Sequence, residues 1–216
     1  MTDADTFYSF LSTTRSIRRI SNRAVDDETL ERVLQAAIWA PSGGNRQPWR
    51  MIAIRDPDVK QQIGDLYADE WAKYVDFNMQ KLEGQPDDVR NAVSKGLSVG
   101  TKLAASLADI PVVVIFVHEQ ASLYITDLNY ERASVVGGAS LYPAVQNLLL
   151  AARVEGLGGV LTTLICAREQ EVQDILHIPR KWGVHAMVPL GYPQGQHGPL
   201  SRAPLHKMVN YDRWTD

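Results

Sequence analysis

Two stretches of this sequence carry side chains suited to holding a ligand. The first is Ala40-Pro-Ser-Gly-Gly-Asn-Arg-Gln-Pro-Trp49. Gly43 and Gly44 let the backbone take conformations closed to other residues and approach a ligand closely. Pro41 and Pro48 fix the chain direction on either side. The hydroxyl and amide groups of Ser42, Asn45 and Gln47 recognise polar ring edges without charge, which suits a flat heterocycle with carbonyl and N–H groups on its rim. An ordinary helix-to-strand loop has the same composition. The second stretch is Arg15-Ser-Ile-Arg-Arg19, followed by Arg23. Guanidinium forks match phosphate oxygens in pairs and a serine hydroxyl adds a donor. A solvated basic turn is the plainer alternative.

Other chemistry finds little support. The histidines are His118, His177, His185, His197 and His206, and no two have the helical spacing of a metal pair, so no metal site is expected. Cys166 is the only cysteine and is expected to be a small buried residue. There is no Gly-x-Ser-x-Gly elbow and no phosphate loop ending in Gly-Lys. No general acid or nucleophile stands out, so no catalytic side chain is assigned. The pattern is that of a protein that borrows its reactive group and supplies positioning and electrostatics.

The elements that must carry these groups follow from periodicity. A short helix is expected over about 6–14. Asp26 and Asp27 cap and open a second, whose Leu30, Val33, Leu34, Ala37 and Ile38 form one apolar face that ends at Pro41. Trp49–Ile54 reads as a strand. Residues 59–83 read as a helix with Trp71, Tyr74 and Phe77 on one side, as core or as a mobile cover over a flat site. The polar turn at 83–88 marks the tip of an excursion at about 65–90. A helix over about 89–108 leads to Ile110–Val117, whose unbroken β-branched run predicts a strand buried on both faces. Residues 118–136 show no clear period. A long helix over 138–155, apolar nearly all round, must be buried in the core or against another subunit, with Pro143 in its first turn or at a kink. Gly156-Leu-Gly-Gly-Val-Leu-Thr-Thr163 gives a glycine turn and a strand, with glycines able to bring backbone amides against a ligand. A short helix over 169–176 and a strand over 185–190 complete the body. The tail at about 199–216 is too polar to fold alone yet carries Leu205, Val209, Tyr211 and Trp214.

The chain has 216 residues, 45% of them hydrophobic, and a net charge of −3. The length fits one domain, and the acidic balance argues against general nucleic-acid binding. The lone cysteine, the absence of a signal-peptide pattern and apolar runs too short to span a bilayer lead to the expectation of a cytoplasmic protein without membrane association.

Four segments, in order along nearly the whole chain, resemble the nitroreductase family of FMN-dependent oxidoreductases. They are Arg15-Ser-Ile-Arg18, the Ala40–Trp49 loop, Gly156-Leu-Gly-Gly-x-x-Thr-Thr163, and Leu190-Gly-Tyr-Pro193 with Ser201-Arg-x-Pro204. The resemblance implies an α+β fold with a mixed central sheet flanked by helices, one domain over 1–216, and an intertwined homodimer whose C-terminal arm crosses to the partner. FMN would lie at the subunit interface. Arg15, Ser16, Arg18 and Arg202 would hold its phosphate and the N1–O2 edge of the ring. Pro41, Ser42, Gly43 and Asn45 would come from the other subunit, with Gln47 orienting their loop. Gly159, Leu161 and Thr162 would border the ring near N5, and Lys102 is a candidate donor to it. Thr14 stands where many relatives have a second arginine, which shifts weight to Arg202. The implied activity is hydride transfer from NADPH or NADH through FMN to a nitroaromatic, quinone or similar acceptor in a ping-pong scheme. Flavin storage with little turnover, reductive dehalogenation and flavin breakdown are the alternatives.

Overall fold

A computed structural model describes residues 2–214. The chain divides into two compact units, one formed by residues 1–15 with 196–216 and one by 16–195. The last two residues of the expected arm lie outside the described residues.

The smaller unit holds helix α1, Asp3–Thr13. It starts earlier than periodicity suggests because Thr2 and Asp5 form a capping box, each satisfying a backbone amide of the other. Its Phe7 and Tyr8 are exposed. In the same unit Gly198 and Leu200 donate backbone hydrogen bonds to Thr13 and Ser12, at 3.2 Å each. The two ends of the polypeptide are thereby tied together. The arm beyond leaves Leu205, Met208, Tyr211 and Trp214 exposed.

The larger unit is built on a four-stranded sheet in the order β1-β2-β4-β3. The strands are β1 Trp49–Ile54, β2 Val112–Glu119, β3 Gly158–Gly159 and β4 Trp182–Gly191. Helices α2 Asp27–Ile38 and α5 Tyr142–Val154 cover one face. Helices α3 Pro57–Lys81, α4 Asp87–Ala105 and α6 Glu169–Ile175 lie on the other. This is the expected α+β class. All pairings in the described sheet are antiparallel, and no strand within the described chain offers β1 or β3 a parallel neighbour.

The central strand explains its own composition. Val112, Val114 and Phe116 pack into the layer under α2 and α5, while Val113, Ile115 and Val117 pack into the opposite layer. With both faces covered, alternation is lost and the strand is apolar throughout. Burying one such side chain is worth about 1.5–3 kcal/mol. In β4 the alternation slips, because Phe116 pairs with Ala186 and Val117 with Val184. His185 is the extra residue of this bulge, so Val184 and Ala186 fall on opposite faces.

Asp26 caps α2 by accepting from the Thr29 amide at 2.8 Å. Helix α5 begins only at Tyr142, and Pro143 sits in its first turn, where a missing N–H costs nothing. Residues 120–136, which show no period, are organised by Asp127. Its buried carboxylate accepts from Arg132, Ser134 Oγ and the Val135 amide at 2.7–2.9 Å, and these donors, Ser134 foremost, hold its pKa down at about 2.

Candidate functional site

The proline-glycine loop between α2 and β1 is a closed structure. Gly44, Asn45 and Gln47 all have positive φ, at 58°, 51° and 48°. Asn tolerates this region, whereas a left-handed residue with a longer side chain costs about 1–2 kcal/mol. The loop offsets that strain with its own polar groups. The Gln47 amide donates to Ser42 Oγ at 3.0 Å, and Gln47 Nε2 donates to Asn45 Oδ1 at 3.2 Å. The Gly43 amide donates to Ser140 Oγ at 3.0 Å. Strain of this kind concentrates at ligand sites. Behind the loop is a cavity of about 320 Å³, lined among others by Gly43, Gly44, Arg46, Tyr124, Ile125 and Ser140.

Among the described residues no hydrogen bond links this loop to 16–18 or 158–162. Its partners are Ser140, the end of α2, Glu119, whose amide donates to Pro48 O at 2.9 Å, and itself.

The second group of expected site residues gathers around the start of β3. The Ile17 amide donates to Gly159 O at 2.9 Å, so the segment that carries Ser16 and Arg18 is pinned to the glycine turn. A Cβ on Gly158 would meet Ile17 Cγ1 at 2.7 Å, and one on Gly159 would meet Pro189 O at 2.7 Å. These glycines therefore allow close packing of chain on chain. Thr162 and Met187 exchange backbone hydrogen bonds at 2.9 Å each. Leu161, between turn and bridge, is 36% exposed. The Thr162 side chain lies within hydrogen-bonding reach of Tyr67, with the Arg18 guanidinium close by.

In the smaller unit the Arg15 amide donates to His197 Nδ1 at 3.3 Å. Arg202 is exposed and, among the described residues, donates to the neighbouring Ser201 carbonyl at 2.8 Å. Arg15, Arg18 and Arg202 join no ion pair among the described residues, while Arg32, Arg55, Arg132, Arg168 and Arg180 each face a carboxylate. Lys102 is exposed in the last turn of α4 and makes no ion pair among the described residues.

The aromatic row of α3 is part core and part surface. Tyr67 is 2% exposed and Phe77 53%. Between them Trp71 is held by a 3.0 Å bond from its Nε1 to Thr101 Oγ1, and its indole lies where a Cβ on Gly100 would stand. The charged groups nearby are paired: Arg168 faces Asp69, Glu70 and Glu171, and Lys73 bonds Glu70.

Sequence reasoning missed one polar cluster. The His185 ring packs against His118 and Tyr142, with centroids 5.3 and 4.7 Å away. His118 Nδ1 and His185 Nε2 are buried without a partner. Burial foremost, with the neighbouring His118, pushes the His185 pKa down to about 4. Cys166 is pushed up to about 11 by burial, so its thiol is inert at neutral pH. Among the described residues no three His, Cys, Asp or Glu side chains group as a metal site.

A model of the nitroreductase family matches residues 11–192. A Thermus thermophilus protein named NADH dehydrogenase is 30% identical over 200 residues, covering 90% of this chain and 90% of its own. An iodotyrosine deiodinase from Haliscomenobacter hydrossis is 28% identical over 187 residues, covering 87% of this chain and 79% of its own. The solved NADPH:FMN oxidoreductase of Vibrio harveyi complexed with NAD+ has a TM-score of 0.70 at 17% identity, over 97% of this chain and 78% of that one. That last likeness is one of fold.

Proposed function

The chain belongs to the nitroreductase family, and we propose that it is an FMN-dependent oxidoreductase that takes hydride from NADPH or NADH. The observation that carries this reading is that Arg15, Arg18 and Arg202 join no ion pair among the described residues. Arg15, Arg18 and Arg202 stand at the positions that resemble the family's phosphate motif and C-terminal signature. The guanidinium groups of Arg15 and Arg202 and the Ser16 hydroxyl are donor types that suit a phosphate monoester.

FMN bound there would supply the redox chemistry, passing hydride to a nitroaromatic, quinone or similar acceptor. The chain's own part is to bind and orient. Arg15, Ser16 and Arg202 would hold the phosphate. Arg18 would offset negative charge at the N1–O2 edge in a region shielded from water, where a fixed cation acts more strongly than in solvent. The chain around Gly159, Leu161 and Thr162 would flank N5. The strained loop of a second copy, with Pro41, Ser42, Gly43 and Asn45 held in shape by Gln47, would wall the ring. A homodimer is thus part of the proposal. The exposed Phe7, Tyr8, Trp39, Met208, Tyr211 and Trp214 are the apolar surface such a partner would cover. No described helix is long and apolar enough to cross a membrane, and a cytoplasmic location suits the single thiol.

The likeness to a deiodinase raises reductive dehalogenation as a second reading. A zwitterionic amino acid needs both an anionic and a cationic partner. On α3 Glu70 already engages Lys73 and, from outside the helix, Arg168, while Lys81 lies over the Phe77 ring at 4.2 Å. What α3 leaves exposed is aromatic surface at Tyr74 and Phe77, which favours a flat acceptor over an amino acid.

The test is an anaerobic titration of the FMN-loaded protein. Bleaching by NADPH or NADH and recolouring by a nitroaromatic supports the proposal. Recolouring by 3-iodotyrosine alone supports dehalogenation. A yellow protein that neither cofactor bleaches is a storage protein, and a chain that takes up no FMN refutes all three.

A further inference from the structure

The cavity behind the loop at 40–49 has so far been given no occupant. Its volume of about 320 Å³ lies at the small end of ligand pockets, which run from about 300 to 1,000 Å³. That leaves room for one ring with a short substituent and none for a dinucleotide. The walls come from residues 43–48 and 122–140, all within the larger unit. Much of the lining is apolar, from Pro48, Leu123, Ile125 and Val136. Among the described residues the lining holds one charged side chain, Arg46, and no carboxylate. The Arg46 side chain folds back over Gly44: a Cβ on that glycine would stand 3.8 Å from Arg46 Cγ and 3.9 Å from its Nε. Arg46 joins no ion pair among the described residues. Acids on the facing segment are engaged elsewhere, Glu119 with Lys181 and Asp127 with Arg132. The two serines of the lining are also committed. Ser122 Oγ donates to Glu119 Oε2 at 2.8 Å, and Ser140 Oγ accepts from the Gly43 amide at 3.0 Å. Tyr124, 78% exposed at the same cavity, adds aromatic surface.

We propose that this cavity binds a small aromatic monocarboxylate, with the carboxylate on the Arg46 guanidinium and the ring among the apolar walls. A single cation beside apolar surface matches one negative charge on an apolar body, and a guanidinium fork matches the two oxygens of a carboxylate. Inorganic phosphate would leave the apolar walls uncovered, and an amine would meet the guanidinium with like charge. Binding here is independent of the flavin reading, and Gly43 alone is common to both.

The probes are phenylacetate, its neutral counterpart phenylacetamide and the cation phenethylamine. Each is titrated into the full chain and followed by calorimetry and by backbone amide chemical shifts. Phenylacetate should saturate and shift the amides of Gly43, Gly44, Val136 and Gly137. It should bind about 3- to 10-fold tighter than phenylacetamide; the exposure of Arg46 keeps this factor below that of a buried charge pair. Phenethylamine should be the weakest of the three. Arg46→Gln should close the gap between phenylacetate and phenylacetamide while leaving phenylacetamide binding as it was. Ala139→Trp, which fills the cavity from an exposed position, should abolish binding of both. Phenylacetate that fails to saturate, binds no tighter than phenylacetamide, or keeps its preference in Arg46→Gln overturns the inference, as does parent-like binding by Ala139→Trp. The titration is repeated with FMN present. FMN that competes phenylacetate away would assign the cavity to the flavin and overturn the inference, whereas a chain that binds phenylacetate but takes up no FMN ends the flavin reading alone.

Discussion

Acid should destabilise this protein through His185, and replacing that residue should remove much of the effect. The bulge in β4 turns the ring against His118 and Tyr142, and its Nε2 finds no partner. The folded-state pKa is about 4 against an ordinary 6.5. The unfolded chain therefore binds the extra proton first as pH falls, and stability drops between about pH 6.5 and 4 before levelling off. A shift of about 2.5 units at about 1.4 kcal/mol per unit would cost about 3.5 kcal/mol in full. The ring is only partly buried, and screening by solvent reduces this to about 1–2 kcal/mol. Other groups face the same space: His118, itself held below its ordinary pKa by burial against the opposing pull of Glu169, the neutral Tyr142 phenol, and the Cys166 thiol. His185→Phe keeps a ring and removes one titration. Urea unfolding followed by tryptophan fluorescence, at matched protein concentration and at about pH 7.5 and 4.5, isolates the term as the parent's excess loss over the variant. An equal loss in both proteins, or a folded-state His185 titration near 6.5 by NMR, would refute the reasoning.

Three further outcomes are expected. Gly100→Ala forces its Cβ onto the Trp71 indole and should cost about 1–3 kcal/mol in urea unfolding, whereas Gly96→Ala, with open space at the same helix, should be neutral or stabilising. Arg15→Ala and Arg202→Ala should each weaken FMN binding by about 1.5–3 kcal/mol, as for a hydrogen bond to a charged group, read by fluorescence titration; unchanged affinity in both would defeat the phosphate assignment. Glu169→Gln weakens the 2.7 Å bond its carboxylate accepts from the Val184 amide and should lower stability by about 1 kcal/mol in urea unfolding; unchanged stability would contradict it.

Local and periodic features were readable in advance, and long-range ones were not. Strand β1, the cap of α2 and the double burial of β2 follow from spacing and residue type alone. The bulge at His185 could not be read, because it arises from the register between β2 and β4, which are far apart in sequence. For the same reason the packing of the glycines at 158 and 159 could not be read: Ile17 and Pro189, which crowd them, come from distant segments. Residues 120–136 have no period because one buried carboxylate, rather than an apolar face, organises them. Within the candidate site, the loop at 40–49 and the arginines were visible as motifs. The positive φ at Asn45 and Gln47 required coordinates.

The claim at the centre of this account is that one flavin site is assembled from two copies of the chain, and subunit complementation tests it most directly. An Arg15→Ala/Arg202→Ala chain lacks the phosphate grip, and a chain with Ser42→Ala, Gly43→Val and Asn45→Ala lacks the wall. Each variant alone should fail to retain FMN. Unfolded together and refolded as a mixture, they should form some dimers with one intact site, and recover FMN binding up to one site per mixed dimer. A mixture that retains no more FMN than its separate components, while mixed dimers are present by mass spectrometry, would contradict the account.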